Sequence, residues 1–288
     1  MVEPVAFTRR PTPGVRVLLL AFCCLTAAAV VSLVGLAART DETFAWTIEP
    51  PVTAAFLGSG YAAGLVLSAL SLRADDWAVV RVPFVTVLVF TWLTAAATFV
   101  HLDRLHMRAP GSGPVAEPAA WLWLVVYVAI PVGMAVLLTR QGSRRAARPP
   151  AVTTPRPLTA ALVVQGAVLL LVGAALFVVP ASAEVLWPWT LTPFTARVVA
   201  AWLLAFAVAV ALAVADGDLR RLRVATVAYT AFGAFQLVTL VRFRGTVEWA
   251  RAPAWVLVAM LVAVVVTGAV GWALGGRGAA AGARGRRS

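Results

Sequence analysis

Eight times along this chain an apolar run of about 20 residues recurs, the length a helix needs to cross a hydrocarbon core roughly 30 Å thick. The runs cover approximately 17–38, 52–72, 79–100, 119–139, 158–179, 198–215, 224–241 and 253–274. Backbone amides and carbonyls find no water in lipid, so each run must satisfy its own hydrogen bonds as a helix. No segment between them carries the alternating pattern of a transmembrane barrel strand. The expected fold is therefore all-α, a polytopic integral membrane protein with eight transmembrane helices. Composition agrees: 12% of residues are charged, half the roughly 25% that covers a soluble domain. The longest connections, 101–118, 140–157 and 180–197, have 18 residues each, too few for an extramembrane domain. Any ligand site is expected in the bundle or at its rims.

The first run follows Arg9, Arg10 and Arg16 and leads into Gly35-Leu36-Ala37-Ala38, an order that resembles a secretory signal peptide. It is longer than the roughly 7–15 residues of a signal's apolar region, so the reading keeps it as an uncleaved helix. It also holds the two cysteines, Cys23 and Cys24. Adjacent positions on a helix point about 100° apart, which predicts two reduced thiols, with palmitoylation near the membrane surface as the functional alternative.

All 24 basic residues are arginine. With the N-terminus inside, 17 of them fall on the cytoplasmic side against 5 acids, while 7 arginines balance 7 acids outside. The whole net charge of +12 is then cytoplasmic, as the positive-inside rule requires. Both termini are expected in the cytoplasm of a bacterial-type plasma membrane, which the arginine-only basic set and abundant Ala and Val suit by association. Arg144, Arg145 and Arg148 lie in a short loop without interleaved aromatics, so the expected partner is anionic lipid at the cytoplasmic face and not nucleic acid.

The chain also resembles itself. Trp46-Thr47-Ile48-Glu49-Pro50 matches Trp189-Thr190-Leu191-Thr192-Pro193 at an offset of 143 residues. Asp76 and Arg81 then match Asp218 and Arg223 at an offset of 142, and Ala120-Trp121 matches Ala254-Trp255. Four spans per unit is an even number, so the two units are parallel. The expected organisation is a first four-helix repeat over 1–139, a basic cytoplasmic linker over 140–157, a second repeat over 158–274 and a flexible basic tail over 275–288, with the principal seam between the halves.

Belt and capping physics accounts for most conspicuous residues. Trp46 and Trp189 are expected at the outer interface, where indoles prefer to sit, while Thr192 caps the helix that Pro193 begins. In the functional alternative the two elements are lips of an outer vestibule, with Glu49 and Arg197 as opposite charges near its floor. Asp76 and Asp218 are expected to cap, and Arg81 and Arg223 to reach headgroups.

His101-Leu102-Asp103-Arg104-Leu105-His106 is the densest chemistry. A gap of five residues turns the two histidines about 140° apart on a helix, unlike the three- or four-residue spacing of a zinc pair, so no metal and no cofactor is predicted. His101, Asp103 and His106 remain weak catalytic candidates, with a haem ligand or a proton relay as further options. Thr91, Thr94, Thr98 and His101 share one helical face, and Thr94 corresponds to Gln236 at the 142-residue offset. These polar groups are read either as interhelical hydrogen bonds or as the lining of a ligand path.

The middles of all eight runs hold no ionisable residue, which argues against an ion-coupled carrier with a midplane carboxylate. Phosphate-binding glycine loops, a Gly-x-Ser-x-Gly elbow and a His-Glu-x-x-His helix are absent too. The leading expectation is a non-enzymatic protein, either a permease-like bundle for a small neutral or amphipathic solute or an accessory subunit with a membrane-protein partner or a second copy. The alternative is an outer-leaflet enzyme acting on a lipid-linked substrate.

Overall fold

The computed structural model describes residues 10–107, 113–141 and 150–284, with side chains described as far as Gly276. Arg9, Arg108, Arg144, Arg145, Arg148, Arg286 and Arg287, which entered the orientation count, lie outside the described residues. Among the described residues, eight helices are long and apolar enough to cross a membrane. They are α1 (Pro13–Val30, widening into a π-helical turn at Val31–Gly35), α2 (Pro51–Leu72), α3 (Trp77–Val100) and α4 (Ala116–Gln141). The others are α5 (Arg156–Val178), α6 (Pro193–Asp216), α7 (Arg223–Arg242) and α8 (Ala252–Arg284). Each coincides with one expected run to within about five residues, except that α8 continues past the expected end at 274.

Local chemistry places the ends. Pro13, Pro51 and Pro193 open their helices, where a missing amide hydrogen costs nothing. Thr192 accepts from the Thr195 amide, and Asp76 accepts from the Ala78 amide at 2.9 Å. Gly217, at φ 65°, takes the left-handed conformation that ends α6. Helix α8 runs on to Arg284, past Gly275, the expected start of the flexible tail over 275–288.

Helix direction alternates, so one end of the bundle carries Trp46, His101 and Trp189, and the other carries Asp76, Gln141 and Asp218. We call these the tryptophan end and the aspartate end. The inner helices are α2 and α3, each 56% buried across its membrane window, and α6 at 50%; α1 at 17% and α4 at 22% lie outside. Consecutive α2 and α3 barely touch. Instead α2 packs along α7 and α3 along α6, while α1, α4, α5 and α8 lean on α2, α3, α6 and α7 respectively.

Small residues permit this close approach. A Cβ added at Gly233 would lie 2.9 Å from the Leu261 carbonyl oxygen of α8. One added at Gly60 would lie 3.1 Å from the Trp202 ring, which stacks on Phe90 at 3.9 Å between centroids. Gly60 and Trp202 are 142 residues apart, so a hole on α2 receives a knob from α6.

At the aspartate end, Asp218 does more than the capping expected of it. Its carboxylate accepts from the Arg220 amide at 3.0 Å, as Asp76 does from Ala78, but also from the amides of Ala151 and Val152. Arg221 bridges it to Asp216, at 3.2 and 3.0 Å, and all three side chains are nearly buried. Helix α7 begins only at Arg223 because this cluster occupies the preceding turn and straps the segment before α5 onto it.

Gly60→Leu should overpack the Trp202 site and cost about 1–3 kcal/mol, read as a lowered melting temperature in mild detergent. Adding Trp202→Ala should return part of that loss, since the two positions couple directly. Strictly additive losses would show that the ring does not depend on the hole.

Candidate functional site

At the tryptophan end, the two Trp-Thr-x-x-Pro elements fold inward and cross. Trp46 and Trp189 are each only 2% exposed, which corrects the expectation of an interfacial belt. Trp46, from the loop before α2, packs on Phe194 at the start of α6 with centroids 4.6 Å apart. Trp189, from the loop before α6, donates its indole Nε1–H to Thr53 Oγ1 in the first turn of α2 at 2.8 Å. Each loop covers the head of the opposite half's helix, so its indole enters the core and never reaches the lipid surface.

Other residues of both elements line an open recess of about 500 Å³, among them Thr47, Glu49, Thr190 and Thr192, together with Asp41. Arg197 is not among its lining residues. Its Nε–H donates to the Phe177 carbonyl at 3.0 Å, and its Nη1–H donates to His101 Nε2 at 2.6 Å. The pairing of Glu49 with Arg197 across one floor is therefore corrected: the guanidinium turns toward α5 and α3 because acceptors wait there.

The histidines serve different partners. His106 hydrogen-bonds Thr47 Oγ1 through Nε2 and the Phe44 carbonyl through Nδ1, both at 3.0 Å, and its amide donates to the Ala45 carbonyl. It acts as a clasp on the loop before α2. His101 accepts from Arg197, which is always a donor, so Nε2 is unprotonated and the ring's proton sits on Nδ1. Asp103 pairs with neighbouring Arg104, and both side chains are about 70% exposed, where such a pair contributes little. Among the described residues, no three of His, Cys, Asp or Glu gather closely enough to hold a metal ion.

The polar face of α3 is turned inward. Thr91 donates to the Leu88 carbonyl, and Thr98 donates to the Thr94 carbonyl while accepting from the Trp123 indole at 3.0 Å. Thr94 is fully buried, and its Oγ1 has no hydrogen-bond partner. Gln236, 1% exposed, donates to the Phe56 carbonyl of α2 at 2.9 Å, and Ser59 meets Thr239 one turn away at 2.7 Å. These bonds fasten α2 to α7. Neither Thr94 nor Gln236 lines the recess above or the groove below.

Sequence reasoning missed a lateral groove in the first half. Its floor is Tyr61, Phe90 and Trp202, and its walls are α1 from Phe22 to Ser32 and α4 from Ala119 to Ile130. The cavity holds about 180 Å³. The Tyr61 and Tyr127 hydroxyls, 2.6 Å apart, bond one another within it. Ring contacts continue from Phe44 through Trp46, Trp123, Tyr127, Phe90 and Trp202 to Phe206, a file of aromatics beside the groove. The signal was present in the spacing of aromatics, but nothing in it said which side they would face. On the outer wall Cys23 is half-buried and Cys24 exposed, both free.

No protein family model, characterised protein or solved structure matches this chain.

Burial, and after it the Arg197 charge, hold the His101 imidazole below its ordinary value of 6.5. The unfolded chain takes up a proton near that value while the folded chain does not, so stability should fall as pH drops below it. His101→Gln, which keeps an acceptor for Arg197 and cannot titrate, should lose this acid-sensitive component in melting curves between pH 7 and 5. Equal acid sensitivity in the variant would place the titrating group elsewhere.

Proposed function

We propose that this chain is a non-enzymatic accessory or binding subunit of a bacterial-type plasma membrane, one that works through its lipid-facing side and not as a permease with an axial path. The observation that carries this reading is the closure around Thr94 and Gln236, at 0% and 1% exposure. A small neutral or amphipathic solute crossing along the bundle axis would need wet polar groups there. Gln236 instead joins α2 to α7, and Thr94 is enclosed. The enzyme alternative draws little from the histidines, since His106 is spent on the loop before α2 and His101 on Arg197.

The same proposal holds that the molecule is two like-oriented four-span copies with both termini in the cytoplasm. Supporting the copies, bonds recur at corresponding places: the His106 amide to the Ala45 carbonyl and the Glu248 amide to the Pro188 carbonyl are both 2.9 Å. The helix pairs correspond as well, with α1 on α2 matching α5 on α6, α4 on α3 matching α8 on α7, and α2 along α7 matching α6 along α3. Supporting the orientation, the loops and termini that the sequence assigns to the inside hold 17 of the 24 arginines. Anionic lipid at that face, and a membrane-protein partner or a second copy, complete the proposal.

Two measurements test it. In a Cys23→Ser, Cys24→Ser background, Thr94→Cys should resist a membrane-impermeant thiol reagent applied from either side. Labelling from one face would restore the axial permease. A phosphatase reporter that works only outside the cytoplasm should be silent when fused near residue 148 and active near residue 110. The reverse pattern would overturn the orientation.

A further inference from the structure

The groove between α1 and α4 runs from Phe22 to Ser32 along α1, ten residues or about 15 Å of helix. That is half of a hydrocarbon core roughly 30 Å thick. It begins near mid-depth and ends at the tryptophan end, so it spans one leaflet. Below mid-depth the walls meet: a Cβ on Gly14 would lie 2.8 Å from Leu137 of α4. Gln141 of α4 seals the bottom, accepting from the Thr12 amide and donating to the Arg10 carbonyl.

The corresponding depth in the second half is bridged, and the apolar pocket between α5 and α8 lies beyond that bridge, toward the aspartate end. Helix α5 and its membrane window begin at Arg156, 143 residues after α1 at Pro13, and both windows have 23 residues. Gln165 of α5 takes hydrogen bonds at mid-depth from Thr267 of α8 and Tyr229 of α7, zipping α5 to α8. At the same offset Gln165 corresponds to Phe22, and at the offset that pairs Trp121 with Trp255, Thr267 corresponds to Gly133. The first half has no such pair at mid-depth to draw α1 and α4 together, and above the Gln141 link its walls diverge.

The groove offers little to a polar guest below its Ser32 rim, since most of its hydroxyls are already engaged. Thr26 donates to the Phe22 carbonyl, Thr43 to the Arg39 carbonyl and Thr91 to the Leu88 carbonyl, and the two tyrosines bond each other. What remains is aromatic and aliphatic surface. Ser32, in the π turn of α1, stands at the upper rim, and turns of this wide kind recur at functional sites.

We infer that this groove is a binding site for a single apolar chain of a membrane lipid, taken from the leaflet at the tryptophan end with its headgroup near Ser32. A slot one leaflet deep, closed below mid-depth and lined mainly by aromatic and aliphatic side chains fits one hydrocarbon tail. A partner helix would need a face open across both leaflets. The inference rests on the proposed lateral mode of action and names its ligand class.

The test uses the full chain in nanodiscs containing either a phospholipid with a photoreactive acyl chain or a photoreactive isoprenyl phosphate, with labelled residues mapped by mass spectrometry. Labels should concentrate on Thr26, Ala29 and Val126, and the probe that does so tells acyl from isoprenoid chains. Ala29→Trp should lower them about tenfold, the effect of displacing roughly two buried methylenes. Leu171→Trp, on the lipid-facing side of α5, should leave them unchanged. Ala119→Phe fills the groove from the opposite wall and serves if Ala29→Trp fails to fold. Labels spread evenly over all lipid-facing helices, or unchanged in a folded groove-filled variant, would overturn the inference, as would a dimer cross-linked through α1 and α4. Labelling of Thr94→Cys bears on the axial path alone, so the two readings fail separately.

Discussion

Cross-packing of α2 with α7 and of α3 with α6 is the constraint on which the other features depend. Sequence neighbours α2 and α3 hardly touch, and the first four spans close only a small cluster largely of their own, around Val15, Phe84 and Met134 at the aspartate end. The largest core exists only when the halves interlock. Water supplies no drive for helices to associate within lipid, so the hold comes from close contact and a few hydrogen bonds. Gly60 admitting Trp202, and Gln236 and Ser59 reaching across to Phe56 and Thr239, are contacts of that kind. The crossed tryptophans extend the same exchange beyond the spans, with Trp189 bonded to Thr53 and Trp46 laid on Phe194.

Polar groups divide sharply by depth. Charges that are buried sit at an end and are paired, as with Arg221 between Asp216 and Asp218, where removing one partner would strand another and cost about 3–5 kcal/mol. Hydroxyls within the spans are mostly spent on their own helix or on each other. The interior of the spans therefore holds little that could bind a hydrated solute, and one apolar opening lies to the side, between α1 and α4.

Much of this architecture was legible from the residues. The spans, the proline starts, the Thr192 and Asp76 caps and the inward turn of Thr91, Thr94 and Thr98 all follow from periodicity and end chemistry. Other features were hidden for an identifiable reason. Trp46 and Trp189 look like interfacial indoles because hydropathy reports depth and not the fold of a loop. Gln165 and Thr267 are 102 residues apart, and no local pattern announces that they meet or that Phe22 and Gly133 do not.

The order of amino acids by itself determined that this chain is helical and offers eight spans, because a backbone in lipid must satisfy its hydrogen bonds within each run of about 20 residues. Tertiary structure alone decided which polar groups would be consumed, which helices would interlock and where a groove would stay open. Those outcomes turn on side chains far apart in the chain meeting at one depth, and such meetings exist only once the helices have packed.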